Sequence, residues 1–202
     1  NNFYKQFVLR QQIKKPLLIA LHDVSAPRVR RAAAQAVAKI GSIEIPQNMW
    51  PDLLSTLANS ARSDQIQDQV KQSVLECIGY LCEQLDEDAV QPAAVNEILT
   101  AIIHSMRAEA AGNVRLAATT ALDQSLSFTG SNMAVENEAD MIVTQICKAA
   151  QCGMDPNTTT PLPNTGEVEE KVRTAAFECM VRLAPYFYAH LKNYVQTFFQ
   201  WL

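Results

Sequence analysis

One short pattern returns four times along these 202 residues, and it restricts the fold more than any other feature of the chain. Val29-Arg30 is followed by Ala33 and Ala36-Val37, Val70-Lys71 by Val74 and Cys77-Ile78, Val114-Arg115 by Ala118 and Ala121-Leu122, and Val172-Arg173 by Ala176 and Cys179-Met180. The four valines stand 41, 44 and 58 residues apart. Apolar or small residues at i, i+4, i+7 and i+8 form one stripe of an amphipathic helix. Ahead of three copies lies another apolar-periodic segment: Trp50 to Leu57, Val95 to Met106, and Met141 to Ala150. Turn residues separate the two members, with Asp23, Ser25 and Pro27, then Ser63-Asp64, then Gly112-Asn113, while Pro46 and Pro92 precede helix starts. The unit is helix, turn, helix. One such pair cannot hide its apolar stripe, so successive pairs must stack on one another.

The spacing predicts an all-α solenoid over residues 1–202. An incomplete first pair ends with helix 27–42; helices 49–59 and 65–85, 93–107 and 113–128, and 137–151 and 167–184 form the next three. The repeats run 1–45, 46–90, 91–132 and 133–184, with a partial unit at 185–202 whose single helix covers 186–202. The long last interval holds residues 155–166, rich in Thr, Pro and Asn, and reads as a surface loop inserted between the helices of the fourth pair. Trp50, in Asn48-Met49-Trp50-Pro51, reads as an anchor at a helix start. The four cations beside the valines, Arg30, Lys71, Arg115 and Arg173, are predicted to share one structural position along the seams between repeats.

Composition narrows the function. A net charge of −4 and a pI near 5.4 lack the cationic surplus that grips phosphate backbones, which argues against nucleic acid as a partner. No apolar run reaches the roughly 20 residues of a membrane span, and residues 1–10 lack the order of a signal peptide. The chain opens without Met and reads as an excised fragment. Five cysteines (Cys77, Cys82, Cys147, Cys152, Cys179), odd in number and set among apolar residues, read as reduced buried thiols. The pairs five apart point about 140° from each other on a helix, which opposes a shared metal. His22, His104 and His190 have no partner at ligand spacing. No phosphate-binding glycine loop, H-E-x-x-H or G-x-S-x-G occurs, so no catalytic residue, cofactor or metal is assigned and a binding protein, monomeric, is expected.

The two-helix period with Val-Arg and Ala in the second helix resembles HEAT repeats. Closer wording lies at 44–53 (Glu-Ile-Pro-Gln-Asn-Met-Trp-Pro-Asp-Leu), 75–82 (Leu-Glu-Cys-Ile-Gly-Tyr-Leu-Cys), 96–103 (Asn-Glu-Ile-Leu-Thr-Ala-Ile-Ile), 114–119 (Val-Arg-Leu-Ala-Ala-Thr) and 149–152 (Ala-Ala-Gln-Cys). These strings resemble the importin-β family of nuclear transport receptors, in order and in register from about Val29 to Gln151 and again from Val168. Residues 1–14 depart from the family's pattern, as does the loop 155–166, longer than the family's tight turn. The resemblance implies a piece of the N-terminal third of such a receptor, resident in cytoplasm and nucleus and at the pores of the nuclear envelope. It implies Ran-GTP on the concave second helices, 27–42, 65–85 and 113–128, and nucleoporin Phe-Gly repeats on the convex first helices. Importin-α adaptor and cargo would be met mainly by later repeats. The Phe-Gly site is implied at Leu99, Thr100, Ile103, Glu138, Met141 and Ile142. Spacing agrees: Leu99 and Ile103 are i and i+4, and Glu138, Met141 and Ile142 are i, i+3 and i+4. Period and composition alone would equally serve a HEAT scaffold of another complex, such as a phosphatase regulatory subunit or a condensin-like arm.

Overall fold

The computed structural model describes residues 2–191 except 156, 158, 159 and 164, with side-chain surroundings from 12 to 185, Glu87 and those four apart. Nine α-helices are described: α1 (Asn2–Leu21), α2 (Pro27–Glu44), α3 (Leu53–Arg62), α4 (Asp68–Cys82), α5 (Pro92–Ser105), α6 (Gly112–Ser125), α7 (Gly130–Met133), α8 (Glu136–Ala150) and α9 (Glu167–Leu191). Short 3-10 turns cover Glu87–Ala89 and Leu126–Thr129. Among the described residues the β structure is one isolated bridge, Met154 to Pro161.

The helices pack in two rows. α2, α4, α6 and α9 lie side by side in one row; α1, α3, α5 and α8 each lean on the second helix of their own pair, and α3 also packs along α5. This is a solenoid of helix pairs. Pro27 and Pro92 occupy first-turn positions, where a missing N–H costs nothing. Glu167, Glu169 and Glu170 fill the first turn of α9, and Glu169 Oε2 accepts the Gly166 N–H at 3.0 Å, half of a capping box.

Burial corrects the register of the first copy. Val70, Val114 and Val172 are 3%, 2% and 1% exposed, as an inward position requires, but Val29 is 48% exposed and Arg30 only 5%. The inward set of α2 is Arg30, Ala33, Ala34, Val37, Ala38 and Gly41, matching Val70, Ser73, Val74, Cys77, Ile78 and Leu81 of α4. Arg30 therefore stands where the other copies have valine, and the four cations do not share one position. Its burial is satisfied: Nε donates to Ser73 Oγ (3.2 Å) and one terminal nitrogen donates to the carbonyls of Asp23 (2.8 Å) and Val24 (2.9 Å).

Other elements depart from expectation. α1 is a full helix through Pro16, so the first pair has both members. α3 begins at Leu53 rather than 49, because Pro46 to Asp52 form turns in which Asn48 adopts φ 52°, a left-handed conformation that Asn tolerates. α9 runs on through Pro185 to Leu191, with no break at 185; most of the helix expected at 186–202 lies outside the described residues. The inserted segment is tethered at its base, where Gly153, at φ 72°, accepts the Leu162 N–H and the Thr165 hydroxyl on its carbonyl oxygen and Asp155 N–H bonds Thr160 O.

Candidate functional site

The residues singled out between the third and fourth pairs come from α5 and α8, which present them in the same register. On α5, Asn96 is followed one turn on by Leu99 and Thr100 and two turns on by Ile103; on α8, Glu138 is followed one turn on by Met141 and Ile142. Asn132, on α7, ties the two helices together. Its Nδ2 donates to Asn96 Oδ1 and to Glu138 Oε2, each at 2.7 Å. One polar bridge therefore stands one turn before the apolar residues of each stripe.

They divide by burial. Leu99 and Ile142 are 5% and 4% exposed and belong to the core. Leu99, with Val95, Ile98 and Phe128, lines an interior gap of about 10 Å³, too small for a ligand. Ile103 and Glu138 are half-buried, and Thr100 and Met141 are exposed, Met141 by 53%. Of the six residues, Thr100, Met141 and part of Ile103 are therefore open to solvent, while Leu99 and Ile142 are not. The Thr100 hydroxyl is spent on Asn96 O at 2.7 Å, one turn back, which leaves its methyl as the useful surface. Ile98 and Ile102, the second stripe of α5, are 5% and 0% exposed and belong to the core. The residues open to solvent here, Thr100, Ile103 and Met141, offer chiefly apolar surface. The sequence pattern missed Asn132 because the segment 129–136 reads as a polar link, and an Asn there signals a turn.

A second concavity, a cleft of about 440 Å³, lies where α6, α8 and α9 meet the inserted loop and is lined by Arg115, Lys148, Cys152, Arg173 and Phe177 among others. Arg115 donates to Cys152 Sγ (3.1 Å) and Arg173 to Cys152 O (2.7 Å). Burial nevertheless raises the Cys152 thiol pKa, outweighing the two guanidinium groups that lower it, so the sulfur is not an activated nucleophile. Among the described residues no three His, Cys, Asp or Glu side chains converge as a metal site, and no helix is long and apolar enough to cross a membrane.

Helix pairs stacked in sequence along the chain define a helical-repeat solenoid protein. The inward positions Arg30, Val70, Val114 and Val172 recur at 40, 44 and 58 residues, longer than the roughly 34 of tetratricopeptide units and in or above the HEAT range. A family model described as IPO5-like, TPR repeats matches residues 25–162. The chain is 40% identical to importin subunit beta-1 of Arabidopsis thaliana over 94% of its length and 32% identical to that of Saccharomyces cerevisiae over 93%. A crystal structure of importin beta in an ammonium sulfate condition superposes with a TM-score of 0.76 at 31% identity, covering 93% of this chain. The chain belongs to the importin-β family. It spans 20% of the length of each of these relatives.

Proposed function

We propose that this chain is a segment of a nuclear import receptor that binds nucleoporin Phe-Gly repeats along the α5–α8 edge. The observation that supports this reading is the Asn132 bridge, which joins α5 at Asn96 to α8 at Glu138, one turn before Leu99 and Thr100 on one helix and Met141 and Ile142 on the other, in a member of the importin-β family. A phenylalanine ring seated between Ile103 and Met141 gains about 1.5 to 3 kcal/mol from burial. One such contact is weak, and many weak contacts along a repeat give fast, multivalent passage through a pore. Met141 supplies a polarisable thioether that adapts to a ring edge. The row α2, α4, α6 contributes to Ran-GTP binding on the opposite face, and importin-α and cargo are held mainly elsewhere in the receptor, which shuttles between cytoplasm and nucleus. Such a receptor segment acts by binding, not catalysis.

Titration of a labelled Phe-Gly peptide against the wild type and Ile103→Asp tests the site. Saturable binding lost in the variant, with helicity unchanged, is the expected result. Equal binding by both moves the site elsewhere. A pull-down with Ran loaded with GTP or GDP tests the second face, and retention of neither Ran nor Phe-Gly peptide would favour a scaffold of another complex.

A further inference from the structure

Asn132 is 8% exposed, sits on a helix of four residues, and is the one described residue hydrogen-bonded by its side chain to both α5 and α8. α3 packs closely along α5, whereas α5 and α8 share no comparably extensive seam to fix their spacing. The bridge stands exactly one turn before the apolar edge on each helix. Both Nδ2 hydrogens are used, one for each acceptor, and the Glu138 carboxylate assigns the amide orientation, since the reverse would set Oδ1 against Glu138 Oε2. That orientation leaves Asn132 Oδ1 buried without a partner. A buried unsatisfied acceptor is destabilising, and an apolar side chain in this place would avoid it. What the amide does that an apolar side chain could not is hold α5 and α8 to one nitrogen.

We infer that Asn132 is a positioning residue of the Phe-Gly edge: it fixes the separation of α5 and α8 and holds the Glu138 carboxylate by Oε2, leaving Oε1 to accept a main-chain N–H of the docked peptide. The inference rests on the Phe-Gly reading above. Recognition of the repeat is then two-part. The ring enters between Ile103 and Met141, and the adjoining backbone, unhindered where glycine follows, bonds Glu138.

Three variants and two readouts test it. Asn132→Asp sets a carboxylate against Glu138 and removes both donated hydrogens. Asn132→Asp combined with Glu138→Gln restores the bonds in the reverse sense, the new amide donating to the new carboxylate while Asn96 turns its own amide inward. Asn96→Ala removes one bond from an exposed position, where folding is safe. Spin labels at Glu97→Cys and Asn137→Cys, both exposed, report the α5–α8 separation, the five native thiols being buried. Asn132→Asp is expected to broaden the label distances and weaken Phe-Gly peptide binding by about tenfold, the loss of one charge-assisted bond. The double variant should return affinity to within about threefold and restore a narrow distribution, while Asn96→Ala weakens binding by about threefold. Unchanged label distances in Asn132→Asp and Asn96→Ala would overturn the positioning role. So would a double variant that regains thermal stability but not affinity. If the wild type binds no Phe-Gly peptide, the proposed function falls, and the label distances alone still decide whether Asn132 sets the separation.

Discussion

Lys14 carries an unusual load for a lysine that is 6% exposed. Its ammonium lies 2.5 Å from Glu44 Oε2, donates to Met49 O at 2.7 Å, and stands 5.0 Å from the centre of the Trp50 ring. A buried ammonium needs all of this, because its desolvation is offset only when every donor finds a partner. The result ties α1 to the end of α2 and to the turn leading into α3. Trp50 as an anchor was legible in the sequence; its cation was not, since Lys14 lies 36 residues earlier, in a segment without clear periodicity. Lys14→Ala should leave Glu44 buried and alone and lower stability by about 3 kcal/mol in urea unfolding, whereas Lys14→Met with Glu44→Leu should cost much less. The slip at Arg30 has the same character. Val29-Arg30 looked like the later Val-cation pairs, but the three acceptors that make the arginine the inward residue come from a turn and another repeat. Burial also raises the thiols, Cys147 to about 11 and Cys82 to about 12 from the ordinary 9.0. Below 9 both folded and unfolded chains hold these protons. Above it the unfolded chain loses them first, so stability should fall as pH rises past about 9, a trend that urea midpoints across alkaline pH would check.

At the scale of the helix, close packing within the inner row uses small residues, and two glycines separate two reasons for them. A Cβ on Gly41 of α2 would meet Leu53 Cδ2 and Leu81 Cδ2, both at 2.7 Å. Alanine there gains about 1 kcal/mol in helix propensity. It also overpacks a core bounded on two sides, at a cost of about 1 to 3 kcal/mol, so Gly41→Ala should destabilise on balance. At Gly79 of α4 the closest obstacle is the end of the flexible Gln124 side chain, and the Ala121 Cα is at 3.4 Å. Gly79→Ala should therefore be neutral or stabilising; thermal unfolding of the two variants in opposite directions checks this. Helix existence was readable wherever the 3.6-residue stripe was strong, as in α2, α4, α5, α6 and α8. It failed for α1, whose apolar residues follow no single face, and for α7, four residues held by the 3-10 turn and α8 rather than by any pattern of its own. For the proposed site, the resemblance supplied the residues and their i, i+3 and i+4 spacing agreed with it, but the Asn132 bridge between the two helices could not be read from either.

Across the whole molecule, each pair packs chiefly on its neighbours, so stability is a sum over seams rather than a single core. Arg30→Ala breaks the α2–α4 seam through Ser73 and should raise amide exchange in α1 to α4 while leaving α6, α8 and α9 near wild type, as native-state hydrogen exchange would show. Exchange raised uniformly would mean one cooperative unit. The proposed Phe-Gly edge lies on the α5–α8 row and the proposed Ran face on the α2, α4, α6 row, so substitutions exposed on one row are expected to leave the other's binding intact. The central claim is that a Phe-Gly repeat docks between α5 and α8. A peptide whose phenylalanine is replaced by a photo-crosslinking benzoylphenylalanine, irradiated with the wild-type chain and mapped by mass spectrometry, tests this most directly. Adducts at Ile103, Met141 and their neighbours on α5 and α8 are the predicted result; adducts concentrated on α2, α4 and α6, or spread without preference, would contradict it.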